Sequence, residues 1–343
     1  MTTLTAPAPA AEDASLRPVP WRRMGWVTWR QHRTALTGVA ALVAAMTLLL
    51  WVVGLHVHQA YAAAAACRPA NSAICSDMFG NFAVMDGFLA NGFLLQVLPA
   101  LIGAFVGAPV LAREMETGTF RYAWTQGIGR LRWALAKLVL LAVAVTIAVG
   151  LFSVLLSWYY QPYFAVSNPT PHTPFAPGLF NLRGVGFAAW TLAAFAIGAL
   201  AGMLIRRVVP AIVVTLGVYT ALAFAAGAYL REHYQTPVVT SSLNVPSSAW
   251  ITSQWWTKGG AFAWAGRPPM NVLDQIVCTF PGPGKPSMLS LEECVARHGY
   301  TQWTSYQPPS RFWPFQWIEG GWLLALSVLL IAATVWLVRR RAT

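Results

Sequence analysis

Between residues 113 and 137 the chain mixes charge and aromatic surface: Arg113, Arg121, Arg130, Arg132 and Lys137 stand with Glu114 and Glu116, interleaved with Phe120, Tyr122 and Trp124. Such side chains suit docking. Guanidinium groups pair with carboxylates or lipid phosphates, and rings supply apolar contact area. Glu114 and Glu116 are expected at a helix N-terminus, where the helix dipole favours negative charge. Catalytic chemistry is not expected. The sequence has no Gly-x-x-x-x-Gly-Lys-Ser/Thr loop for nucleotide phosphates, no His-Glu-x-x-His, no Gly-x-Ser-x-Gly and no dense carboxylate cluster. A metal site is not expected either. His56 and His58, two residues apart, would point apart on a helix, and the cysteines lack Cys-x-x-Cys spacing.

The elements that must position this stretch are membrane spans. Of 343 residues, 57% are hydrophobic and 10% charged, against about 25% charge in a soluble domain. Six apolar runs stand out, at 34–55, 92–112, 138–157, 184–205, 208–230 and 320–338, none containing Asp, Glu, Lys, Arg or His. Each is near the ~20 residues that cross a bilayer as a helix. The charged stretch joins the second run to the third, and a Gly-Ile-Gly break at Gly127–Gly129 divides it. Spans without ionisable residues argue against a proton- or sodium-coupled carrier. The expected fold is therefore an all-α integral membrane protein with six transmembrane helices.

Charge sets the orientation. Arg17, Arg22, Arg23, Arg30, Arg33, the five basic residues of the 113–137 loop, Arg206, Arg207 and Arg339–Arg341 make 15 of the 23 Lys and Arg, and all fall on the side of the two termini. Cytoplasmic loops are enriched in this way, so both termini are expected inside. The net charge of +12 is explained by this bias without invoking nucleic acid. Residues 1–20, Ala- and Pro-rich without an apolar core, read as a disordered cytoplasmic tail. Residues 21–33 read as an interfacial helix, because Trp21, Trp26 and Trp29 alternate with arginines. Spans one to five then occupy 34–230, an extracellular segment 231–317, and the sixth span with its basic tail 318–343.

All four cysteines fall in outer segments. Three pairings are possible, and the local one, Cys67–Cys75 with Cys278–Cys294, is expected because each pair lies within one segment. Ser247–Trp256 and Arg311–Trp317 carry dense aromatics, read as a belt at the outer leaflet. Small residues four apart, Gly103 with Gly107 and Gly198 with Gly202, allow close helix approach. Pro99, Pro109 and Pro210 can break or kink their spans.

In the central loop, Glu114, Gly118, Thr119, Gly129, Arg130, Trp133, Ala136 and Lys137 follow the order E-x3-G-T-x9-G-R-x2-W-x2-A-K. This order, with the layout of the whole chain, resembles the type-2 ABC exporter permeases. The resemblance implies a cytoplasmic coupling helix between spans two and three, docking into a separate ATP-binding subunit through Glu114, Glu116, Gly118, Thr119, Phe120, Arg121, Tyr122 and Arg130. It also implies a second permease subunit, identical or related, membrane lipid as surroundings, and ATP with Mg bound by the partner, so that this chain holds no cofactor. The expected function is export of an amphipathic or hydrophobic compound (drug, antibiotic or lipid) across a bacterial plasma membrane. The chain departs from the common pattern in its long segment between spans five and six. A second reading is a non-transporting assembly or sensor protein acting through that disulfide-bonded segment.

Overall fold

The computed structural model describes residues 21–68, 74–75, 77–78, 93–118, 130–165, 173–175, 177–242, 245–246, 248–270, 272 and 288–340. Six helices are long and apolar enough to cross a membrane: Ala40–Ala66, Leu95–Thr117, Leu131–Tyr163, Gly184–Ile205, Val208–His233 and Pro309–Arg340. The first lies within one helix, Trp21–Ala66. No break separates residues 21–33 from the span, because no proline interrupts 21–66 and a helix once nucleated propagates.

All of these helices except the fourth outrun the expected apolar runs. The membrane helices therefore contain ionisable residues, contrary to the expectation: Glu114 and Lys137 near one surface, and Arg231 and Glu319 near the other. Apolar runs end where charge begins, whereas a helix continues as long as its charges find partners.

The second and fourth spans form the inner pair, each 72% buried, against 17% for the first and fifth. They meet backbone to backbone. A Cβ placed on Gly198 would overlap the Gly103 carbonyl oxygen, and one on Gly202 would overlap the Ala108 carbonyl oxygen. From the other side, a Cβ on Gly103 or on Gly107 would come to 2.6 Å from the carbonyl oxygens of Ala194 and Phe195 respectively. The four small residues singled out in the sequence thus face each other across one interface.

The second span reaches this contact through a widened turn. Helix Phe93–Ile102 passes into a π segment, Gly103–Gly107, and then into helix Pro109–Thr117. The Ala108 N–H donates to Gly103 O at 2.9 Å. The extra residue in the turn accommodates Pro109, which has no N–H to give and whose ring would collide with the preceding turn. Pro210 is the third residue of helix Val208–Ala225, where no intrahelical acceptor awaits its missing N–H.

The membrane part is helical as expected, but the segment between spans five and six is not. It carries a four-stranded antiparallel sheet in the order β1-β4-β2-β3, with β1 Val238–Thr240, β2 Trp250–Lys258, β3 Ala261–Ala265 and β4 Tyr300–Gln307. Of the residues read as an aromatic belt, Trp250–Trp256 belong to strand β2, whereas Phe312–Trp317 open the last helix. β-branched and aromatic residues recur through WITSQWWTK and YTQWTSYQ, which suits a pleated surface. Gly259 and Gly260, with φ of 57° and 85°, make the two-residue turn between β2 and β3. Trp256, fully buried, packs on Val295 of helix Met288–Arg297 and donates from Nε1 to Gly266 O at 3.1 Å. Cys67 and Cys75 form the expected disulfide. Cys294 is disulfide-bonded, while Cys278 lies outside the described residues.

This cap is seated on the spans by a buried cluster of Phe175, Phe180, Phe312 and Phe315, flanked by Tyr234 and Trp250. Gln307 Nε2 donates to Gln235 O at 2.8 Å, and Arg311 Nη1 donates to Thr236 O at 2.6 Å.

The glycine contact predicts that Gly198→Leu and Gly202→Leu each cost more than about 3 kcal/mol, since backbone cannot yield as a side chain does. Gly217→Leu, in open space, should leave stability nearly unchanged. Thermal unfolding of the detergent-purified protein separates the two classes.

Candidate functional site

The root of the 113–137 loop is built from three spans. Helix Pro109–Thr117 ends at Gly118, which takes the left-handed conformation (φ 69°) that terminates many helices and favours glycine. Glu114 and Glu116 therefore lie in the last turn of this helix, not in the first turn of a coupling helix as expected. Negative charge there opposes the helix dipole, so each carboxylate needs a partner elsewhere, and each has one.

Glu114 is buried and accepts a hydrogen bond at 2.7 Å from Nζ of Lys137, which is 1% exposed. The Lys137 ammonium also stands 5.3 Å from the centre of the Trp133 ring. Thus Glu114, Trp133 and Lys137, three members of the sequence pattern, meet at one buried point where the third span rises beside the end of the second. The other Glu114 oxygen, Oε2, has no hydrogen-bond partner among the described residues.

Glu116 does reach a helix N-terminus, that of the fifth span. Its Oε2 accepts from the Val208 N–H at 3.0 Å, one of the donors a helix start leaves unsatisfied. The link from span four to span five is Arg206 and Arg207 alone. Spans two, three, four and five are consequently tied at this surface by two carboxylates and one tight turn.

Of the proposed docking residues, Glu114 is thus buried within the root, Glu116 caps a neighbouring helix, and Gly118 stops the second span. Arg130 opens helix Arg130–Ala165. Thr119, Phe120, Arg121 and Tyr122 lie outside the described residues. What the arrangement can do mechanically is clear: a displacement of the loop at either end is carried directly into several spans, because neither end is free to pivot alone.

At the opposite surface stands a second buried ion pair that sequence reasoning missed. Arg231 is 1% exposed and Glu319 is 0% exposed. Arg231 donates from Nε to Glu319 Oε2 at 3.1 Å and from Nη2 to Oε1 at 2.9 Å. Trp190 Nε1 donates to Oε1 at 2.8 Å, and the Tyr234 hydroxyl to Oε2 at 3.2 Å. The carboxylate therefore receives four hydrogen bonds. Arg231 also reaches Asn181 Oδ1 at 2.5 Å and lies 4.1 Å over the Phe180 ring. Trp322 Nε1 donates to the Tyr234 oxygen at 2.9 Å. Burial, and then the Glu319 charge, hold the Tyr234 phenol well above its usual pKa, so it stays a donor.

Local structure explains why Arg231 points inward. Tyr219 and Ala226 lie on the buried face of span five, and an α-helix would next bury residue 229 or 230. Instead a π segment, Ala226–Leu230, adds one residue to the turn, and residue 231 takes the inward place. One turn before Glu319, Gln316 accepts from the Gly186 N–H at 2.7 Å and donates to Phe180 O at 2.8 Å. The signal available in the sequence was that two opposite charges directly border apolar runs, Arg231 after 208–230 and Glu319 before 320–338. Near the C-terminal end of the first span, His58 stacks 4.5 Å from Trp158 and donates from Nε2 to its carbonyl oxygen at 3.0 Å.

Two predictions follow from the ion pairs. Glu114→Met and Lys137→Met should each destabilise by about 3–5 kcal/mol by leaving a buried charge alone. The double variant should recover most of that loss, and a double-mutant cycle on thermal unfolding reads the difference. At the other surface, Tyr234→Phe removes one of four bonds to Glu319 and should cost about 1 kcal/mol. Arg231→Met, which strands the carboxylate, should cost several times more in the same assay.

The family model described as "ABC-2 membrane transporter related" matches residues 40–231, more than half of the chain. No curated protein and no solved structure matches. The matched region runs from the first span to Arg231 and contains the whole loop root, with Glu114, Trp133 and Lys137. Six apolar helices and this match agree: the chain belongs to the ABC-2 membrane transporter-related family and is a multi-pass membrane permease.

Proposed function

We propose that this permease is the membrane-spanning subunit of an ATP-driven exporter, energised by a separate ATP-binding subunit that docks on the 113–137 loop. The observation that carries the reading is the loop root. A loop with one end locked by Glu114–Lys137, and adjoining a span end that caps span five through Glu116, is suited to pass a push from outside the membrane into the bundle. The family supports a partner of this kind. Phe120, Arg121, Tyr122 and Arg130 are the docking residues in this reading. Glu114 instead holds the root, and Glu116 the start of span five.

In this reading the loop and both termini lie in the cytoplasm of a bacterial cell and the sheet cap lies outside, and the positive charge bias supports that orientation. A second permease subunit, the same or related, completes the pathway, and ATP and Mg bind to the partner. The cargo is amphipathic or hydrophobic, in keeping with spans whose buried charges are paired with each other.

Co-purification in mild detergent with the cognate ATP-binding subunit tests the docking. Arg121→Glu/Tyr122→Ala should abolish recovery of that subunit and ATP-dependent efflux of an amphipathic dye, with the thermal midpoint of the permease unchanged because the root is untouched. If the subunit is recovered in equal amount and efflux persists, the loop is not the coupling element. If wild type recovers no such subunit, transport by ATP is the wrong reading, and the cap becomes the functional part.

A further inference from the structure

At the surface that carries the loop root, Arg206 adopts φ 59°, the only non-glycine residue with positive φ among those described. It caps span four by donating its backbone N–H to Gly202 O at 3.0 Å. Glycine is the usual occupant of this position, because a Cβ is disfavoured in the left-handed region. The backbone bond would be made equally well by glycine. An arginine held there at a conformational cost suggests a task for its side chain.

Three exposed arginines gather at this point. Ala112 Cβ lies against Gly202, which sets Arg113 beside the turn that carries Arg206 and Arg207. All three are exposed. Glu116, at the same turn, uses Oε2 on the Val208 N–H. With span four ending at Ile205 and span five starting at Val208, the turn has no length with which to leave the membrane surface. So short a turn keeps its guanidinium groups at the ends of two apolar spans, the level at which basic side chains meet lipid phosphates.

We propose that Arg206 and Arg207, with Arg113, form a site for the phosphate headgroup of an anionic lipid at the end of spans two, four and five. Arginine presents a planar fork of donors that fits phosphate oxygens in pairs. A lipid held there bridges the tight turn to the second span beside the loop root. The inference rests on the orientation proposed above for its leaflet, and not on ATP coupling.

The test is retention of phosphatidylglycerol by the full chain in neutral detergent, read by native mass spectrometry, beside phosphatidylcholine. Wild type should retain phosphatidylglycerol selectively. Arg206→Gly should lower that retention about fivefold, and Arg206→Gly/Arg207→Gln by a further similar factor, since a basic residue near an anionic lipid contributes on the order of a fivefold gain each. Arg206→Gly should at the same time raise the thermal midpoint in detergent without anionic lipid, because it relieves the left-handed strain. Arg339→Gln/Arg340→Gln, at the end of the last helix, should leave retention near wild type. Equal retention by the Arg206 and Arg207 variants would overturn the site. So would an equal loss in the Arg339/Arg340 control, which would mean general surface charge. Displacement of the lipid by millimolar glycerol 3-phosphate would refute the assignment to lipid in favour of a free phosphate. The assay needs neither ATP nor the partner subunit, so its failure is distinct from failure of the co-purification.

Discussion

The backbone contact between the second and fourth spans is the constraint on which the rest depends. Water does not drive helices together inside a bilayer, so close packing has to supply the association. Gly103 and Gly107 against Gly198 and Gly202 let two helices approach until carbonyl oxygens occupy the space of missing side chains. That approach fixes where helix Pro109–Thr117 emerges, and hence where Glu114 and Glu116 stand. It also fixes the end of span four, from which only Arg206 and Arg207 lead to span five. The π turn and Pro109 belong to the same solution, because the widened turn lets a proline sit in the middle of a span that must stay in contact.

Charge is then handled locally at each surface. Glu114 meets Lys137, and Arg231 meets Glu319, and both pairs are buried. Pairs of this kind are weak as sources of stability but strict in what they demand, since either partner alone is costly. They specify geometry. The Glu114–Lys137 pair fixes how the third span stands on the second. The Arg231–Glu319 pair fixes how the fifth and sixth spans stand on the fourth, and the aromatic cluster of Phe175, Phe180, Phe312 and Phe315 seats the cap beside it.

Much of this was legible in the sequence, and the exceptions have physical causes. Apolar runs located all six spans, and the small residues four apart located the inner contact. Spacing within one segment identified Cys67–Cys75. The pattern from Glu114 to Lys137 marked the right region but concealed its logic: spacing in sequence does not reveal that its two ends bind each other. Counting charge by segment assigned Arg231 and Glu319 to the outer surface, because hydropathy treats a charge as the end of a span. Helix ends instead follow pairing, and pairing is a tertiary fact. The sheet was hidden by its own aromatics. Trp250, Trp255 and Trp256 fit a membrane interface as well as a strand, and the two glycines at Gly259 and Gly260 were the cue that separated the two.

The network around Glu319 also has a direction in time. Asn181, Trp190, Arg231 and Tyr234 all precede Glu319 in the chain, and a chain is synthesised from its N-terminus. When span five enters the membrane, the arginine at its end has no countercharge. The whole cap is then made before the carboxylate that neutralises this arginine. Insertion of the sixth helix is thus more than the addition of a last span. It closes the bundle at that surface, and a chain that stops short of it is left with an arginine whose buried partner is missing.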